Sequence, residues 1–230
     1  MGAGVPVNTE STSLDQLTTL ADQLRAEGLT CQTDLRRGAL KDAILLAANE
    51  HNADLIITGR SHLNNFIERI AGTVASRVAR GANCPVLVVP AGNAESAIQP
   101  QLQTIVFTTP LEFDQQDGFK QAVDMARTFG AALRVLHIRA ENQPNLTDND
   151  TMISQLQAVY GSDPLPVDTV DARTVSGGIE TYLGDNPADL LVMTTRERDF
   201  LSGLLNPSLT SRMVVLANLP VLVFQAEGAM

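Results

Sequence analysis

The sequence predicts an α/β fold of two tandem doubly wound parallel sheets, the first copy incomplete, and three observations carry that expectation. The stretch Ser76-Arg77 with Ala82-Asn83-Cys84-Pro85-Val86-Leu87-Val88 returns 135 residues later as Ser211-Arg212 with Ala217-Asn218-Leu219-Pro220-Val221-Leu222-Val223. The register also holds upstream, where Ala53-Asp54-Leu55-Ile56-Ile57 aligns with Ala188-Asp189-Leu190-Leu191-Val192 and Ile44 with Ile179. A period beyond about 100 residues exceeds the roughly 20–50 of solenoid units, so each copy is a whole domain. Second, the strand-length apolar runs do not alternate with polar residues, as expected of parallel strands covered on both faces. Third, helical patterns stand between those runs.

In the first copy, Leu14 to Glu27 reads as an amphipathic helix with Ser13 as N-cap and Gly28 as its stop. Thr30 to Leu35 reads as a short strand, Leu40 to Glu50 as a helix with Ala43, Ile44, Ala47 and Ala48 inward, and Asp54 to Thr58 as a strand. A loop from Gly59 to Ile70 leads to a helix at Thr73 to Arg80 and a strand at Val86 to Val89. The polar stretch from Pro90 to Gln103, with two prolines, reads as the linker, set at 95–103 between domains at 1–94 and 104–230.

The second copy reads as strand Thr104–Thr108, helix Gln115–Phe129, strand Leu133–Ile138, helix Met152–Tyr160, strand Val167–Asp171, helix Gly177–Leu183, strand Leu190–Met193, helix Leu209–Leu216 and strand Val221–Phe224. The repeat equivalents of its first two strands and first helix fall before Met1. The expectation is a chain that is the C-terminal part of a longer polypeptide, or one whose true start lies elsewhere. Mass spectrometry of the native protein showing Met1 as its first residue would contradict this.

Composition narrows the function. Lys and Arg number 16 against 26 Asp and Glu, a formal charge of −10, and that field repels nucleic-acid backbones and anionic lipid. No apolar run approaches the ~20 residues of a bilayer span, and the opening Met1-Gly2-Ala3-Gly4-Val5-Pro6 lacks the basic and apolar regions of a secretory signal. Cys31 and Cys84 lack metal-ligand spacing and read as buried thiols, which suits a cytoplasmic chain. No Ser/His/Asp triad, paired-His metal spacing or P-loop lysine is present.

In an open parallel sheet, ligands bind beyond the carboxyl ends of the strands, where helix N-termini favour anions. In copy one that place is Gly59-Arg60-Ser61-His62, with Gly72-Thr73-Val74 opening the next helix. Glycine lets backbone approach a phosphate, and Thr73 offers an amide and a hydroxyl. This layout resembles a tandem universal stress protein, whose signature runs Gly, two residues, Gly, nine residues, Gly, then Ser or Thr, followed by a helix and a Cys-Pro-Val-Leu-Val-Val strand. Here the spacing is kept, with His62 at the middle glycine and Cys84-Pro85-Val86-Leu87-Val88-Val89 as the strand. Arg37-Gly38 and Ala53-Asp54-Leu55-Ile56-Ile57 extend the resemblance.

The resemblance implies a Rossmann-like, adenine-nucleotide alpha-hydrolase-like fold. It implies a non-enzymatic stress-response or regulatory role, and a residual site for ATP or another adenine nucleotide at Gly38, Gly59, Arg60, Ser61, His62, Gly72, Thr73 and Val74. In copy two the same spacing holds Thr194, Glu197 and Pro207-Ser208, so all three glycines are gone, and its first strand ends in Thr109-Pro110 where the family often carries Asp.

Structural roles compete at each point. His62 suits a loop cap or a solvent-facing side chain, and His51 and His137 stand isolated. Arg36-Arg37 suits a solvated pair, Ser208 a helix N-cap, and Gly177-Gly178 a turn requirement. Two other functions stay open: a cytoplasmic regulatory tail of a cation/proton antiporter, and a nucleotide hydrolase of the alpha-hydrolase type. The terminal strands Val86–Val89 and Val221–Phe224 read as edges that pair the two copies with each other. A homodimer and a regulatory protein partner follow from the resemblance.

Overall fold

Parallel strands must be joined by crossovers, and each crossover helix must cover one face of the sheet. The computed structural model describes residues 9–60, 74–90, 102–109, 111, 116–141, 149–195, 213 and 218–225. Among these the helices are α1 (Thr9–Ala26), α2 (Leu40–Glu50), α3 (Val74–Gly81), α4 (Gln116–Phe129), α5 (Asn149–Tyr160) and α6 (Val175–Asp185). The strands are β1 (Ile56–Arg60), β2 (Val86–Pro90), β3 (Thr104–Thr108), β4 (Ala132–Ala140), β5 (Val167–Ala172), β6 (Leu190–Thr195) and β7 (Val221–Gln225). The expected helix at Leu209–Leu216 and the linker lie largely outside the described residues. None of the described helices is long and apolar enough to cross a membrane.

The chain divides into two compact units, 1–43 and 44–230. In the first, α1 starts at Thr9, so Ser13 lies within the helix rather than capping it. Thr18 and Thr19 donate their hydroxyls to the carbonyls of Leu14 and Asp15, four residues back. Gly28 ends the helix as expected: at φ +90° its amide donates to Arg25 O while the Leu29 amide donates to Leu24 O. That is a Schellman closure, which a Cβ at this φ would strain.

Residues 30–35 are not a strand. Their repeat equivalent, β5, pairs only with β4. Copy one offers no β4 counterpart among the described residues, so β-prone residues here have no ladder to join. Copy one therefore contributes two strands to the sheet instead of the expected three.

The second unit holds a single seven-stranded sheet ordered β1-β2-β7-β6-β3-β4-β5. Every neighbouring pair is parallel except β2 with β7, which run antiparallel with Val86 opposite Val223 and Val88 opposite Val221. The two terminal strands thus join the copies inside one chain, as the edge reading predicts. Each side of this junction alternates residues between the faces, so Val86, Val88, Val221 and Val223 enter one core and Leu222 and Phe224 the other.

The first core lies under α3 and α6 and extends across both copies. It holds Ile56, Val78, Ala79, Val86, Leu136, Ile179, Leu191 and Met193, with Ile44, Leu45 and Ala48 of α2 packed at its margin. The second lies under α4 and α5 and centres on Ile105, Phe107, Phe119, Val123, Leu156, Val192 and Phe224. Phe107 and Phe119 meet edge to face with ring centroids 5.2 Å apart, a favoured quadrupole geometry.

Gly178 is a packing glycine. A Cβ there would stand 2.7 Å from Ile138 Cγ2 and 3.0 Å from Ala172 Cβ, so its absence lets α6 seat directly on β4 and β5. Gly177 serves the cap instead, donating its amide to Thr174 Oγ1 over 3.2 Å. Cys31 and Cys84 are both free and half-buried rather than fully buried. Partial burial and the nearby Asp54 carboxylate push the Cys84 thiol up, against a backbone hydrogen bond from Ile56, which keeps it protonated at neutral pH.

Candidate functional site

The site follows from the direction of the strands. In the β1–α3–β2 crossover β1 and β2 run parallel, so the carboxyl end of β1 and the start of α3 share one end of the sheet. Gly59 is the fourth residue of β1, in register with Val89, and Arg60 is in register with Pro90. Val74 is the first residue of α3, and Ala75, Val78 and Ala79 after it are buried against the β1–β2 face.

Gly59 has no positive φ, and a Cβ built on it meets nothing within 4 Å. Neither backbone strain nor packing therefore demands glycine there. Gly38 differs: it lies in the first unit at φ +119°, a conformation that side chains avoid, so turn geometry accounts for it. The other expected site residues, Ser61, His62, Gly72 and Thr73, lie outside the described residues, as do Glu197, Pro207 and Ser208 of the second copy. The structure thus brings Gly59 and Arg60 to the end of the sheet where α3 begins with Val74.

In copy two the corresponding end is built differently. Thr194, in the repeat position of Gly59, buries its hydroxyl without a hydrogen-bond partner among the described residues. Across the sheet, Thr108 Oγ1 donates to Val192 O over 3.3 Å. Thr109 is buried, and its hydroxyl accepts the Leu111 amide over 3.0 Å. Leu111 sits at φ +54°, uncommon for a side chain with a Cβ, and is held there by complete burial.

His137 is not the isolated residue it seemed from sequence. It is 4% exposed, its Nδ1 lies 3.2 Å from Thr109 O, and its Nε2 has no partner among the described residues. A carbonyl oxygen only accepts, so Nδ1 is the donor of that contact. Its position inside the apolar run Val135-Leu136-His137-Ile138 was the available signal, since only a buried role suits a histidine there. Among the described residues no cluster of His, Cys, Asp and Glu is arranged to hold a metal ion.

At the opposite end of the sheet, Asp189 fixes the entry of β3: its Oδ2 accepts the amides of Gln103 and Thr104, each over 2.8 Å. The Tyr182 hydroxyl donates to the Asp168 carboxylate, and Arg134 lies 4.0 Å from the same group. Burial and the Asp168 charge raise the Tyr182 hydroxyl above its ordinary value, with Arg134 opposing.

Comparison with known proteins fits this architecture. A family model described as "Universal stress protein family" matches residues 3–90 and again 103–225. A curated universal stress protein of Staphylococcus aureus (strain USA300) is 40% identical over 74 residues, which are 32% of this chain and 45% of that protein. The same match recurs in the relative from strain NCTC 8325 / PS 47, so the chain spans less than half the length of these curated relatives. A universal stress protein from Archaeoglobus fulgidus DSM 4304 superposes with a TM-score of 0.71 at 17% identity, covering 98% of this chain and 81% of that one. Another from Pseudomonas aeruginosa UCBPP-PA14 gives 0.68 at 21%, covering 92% and 77%. The likeness to the solved structures is one of fold. With the family pattern matched once in each half of the internal repeat, the chain belongs to the universal stress protein family, in tandem form.

Proposed function

We propose that this chain is a regulatory protein in which the first copy binds an adenine nucleotide, ATP foremost, while the second copy serves as its scaffold. The observation that carries the reading is the contrast at one repeat position. Gly59 leaves open space at the carboxyl end of β1, whereas Thr194 places a buried hydroxyl at the same point of β6. A phosphate is held by backbone amides and a helix N-terminus, which needs close approach to the chain. Glycine at position 59 permits that approach, and the Gly72-Thr73 pair ahead of α3 supplies the amides and hydroxyl the family signature calls for. Copy two lacks all three glycines of the signature and closes its end with Thr108, Thr109, Leu111 and His137. The protein acts by reporting nucleotide state to a partner in the cytoplasm, a reading supported by the family resemblance.

The test is a thermal-shift titration of the whole chain with ATP, ADP, AMP and cyclic-di-AMP, with Gly59→Glu as control. Because position 59 is exposed and sterically open, the substitution keeps the fold while setting a carboxylate against the phosphates. A ligand at a hundred times its Kd stabilises by about 2.7 kcal/mol. A shift present in the native chain and lost in Gly59→Glu supports the proposal. No shift with any of the four, or one unchanged in Gly59→Glu, overturns it.

A further inference from the structure

α3 begins at the candidate site, and its far end is bonded to the other copy. With eight residues it falls below the ~12–15 at which a helix stands alone in water, so its placement depends on packing and on its ends. Its buried face is Ala75, Val78 and Ala79, which join the core that takes Val86 and Val88 from β2 and Val221 and Val223 from β7. A helix also leaves its last carbonyls without intrahelical amides. Val78 O accepts the Ala82 amide over 3.0 Å, and the next carbonyl, Ala79 O, accepts the side-chain amide of Gln225 over 2.8 Å.

Gln225 is the last residue of β7, 146 residues along the chain from Ala79. Gln225 is half-buried and Ala79 fully buried, so removing the donor strands a carbonyl away from water. The two kinds of contact do different work. Apolar burial is non-directional and fixes how deep α3 sits, whereas the hydrogen bond is directional and fixes where the helix stands along its axis. The link also runs one way: the repeat position of Gln225 is Pro90, which has no donor to offer in return.

We propose, resting on the nucleotide reading above, that Gln225 is a positioning residue for the site in copy one. By capping α3 from copy two, it sets the place from which the start of the helix, at Val74, meets the ligand. Helix amides move as a rigid set, so a tie at Ala79 O acts about 7.5 Å along the axis at Val74, where an anion would be held. Copy two, which has lost the signature, thereby contributes to the affinity of copy one. Coupling is reciprocal, so occupancy in copy one registers in β7 through the same bond.

The test uses the full chain with Gln225→Met, which keeps the length of the side chain and removes its donor, and Gln225→Lys, whose ammonium donates to the same carbonyl. Gly178→Ala, which strains α6 against β4 and β5, controls for general destabilisation. Hydrogen exchange of residues 74–81 is read without nucleotide, and ATP affinity by isothermal titration calorimetry. The expected result in Gln225→Met is exchange at least tenfold faster and an ATP Kd raised at least threefold at unchanged stoichiometry. Gln225→Lys restores both toward native values, and Gly178→Ala leaves the Kd alone. Unchanged α3 exchange in Gln225→Met overturns the proposal, as does an ATP Kd that Gln225→Met leaves intact or that Gly178→Ala raises as much. No ATP binding by the native chain is instead the failure of the nucleotide reading, and α3 exchange in Gln225→Met then decides the clamp by itself.

Discussion

β1 and β6 carry nearly the same residues in the same repeat positions, yet one is an edge and the other the middle of a sheet. Leu55-Ile56-Ile57 and Leu190-Leu191-Val192 differ by two conservative changes. Val192 is enclosed by β3 and the Phe119 face of α4, while Ile57 faces solvent. Burial, and therefore the energetic weight of a residue, comes from the neighbours the topology supplies and not from the local pattern alone. The same holds for the aspartates: Asp189 anchors a strand, and Asp54 raises the Cys84 thiol.

That comparison can be broken most forcefully at its aromatic centre. Phe119→Ala removes a fully buried ring packed edge to face against Phe107 and is expected to cost about 3–5 kcal/mol, whereas Ile57→Ala should stay within about 0.5 kcal/mol. Urea unfolding of both variants reads the difference, and equal losses would show that β1 is covered after all. Next in size, Gly178→Ala forces a Cβ against Ile138 and should destabilise by about 1–3 kcal/mol in the same assay.

Smaller again, Asp189→Ala frees two strand amides and is expected to cost about 1 kcal/mol, with Asp54→Ala near neutral in the unliganded chain. The finest test concerns pH. Burial, and after it the bond to Asp168, raise the Tyr182 hydroxyl when folded, so the neutral hydroxyl and its bond add stability fully present below the tyrosine's ordinary value of 10.0. That contribution is lost as pH climbs through the higher folded value. Alkaline denaturation should therefore show native chain and Tyr182→Phe converging at high pH, and a constant gap would deny the bond its role.

Much of this was legible in the sequence. The repeat located β1, β2, β6 and β7, and the Val and Leu strands after Pro85 and Pro220 identified the pairing of the copies. What escaped has a physical cause. Thr30 to Leu35 has the composition of a strand, but a strand exists only with a ladder beside it, and pairing partners are not written in local composition. The polar end of copy two escaped because Thr109, Leu111 and His137 come together only through the β3–β4 register. Gly178 was read as a turn glycine because its true reason, Ile138 beneath it, lies forty residues away in the chain. Near the candidate site, the sequence put Gly59 just past a strand and the structure includes it as the fourth residue of β1, whereas Gly38 belongs to a turn whose φ no spacing reveals.

The division of labour between the copies is tested most directly by the stoichiometry of ATP binding, measured by isothermal titration calorimetry on the full chain and on Gly59→Glu. The account predicts one ATP per chain, abolished in Gly59→Glu. Two per chain, none, or one that survives Gly59→Glu would contradict it.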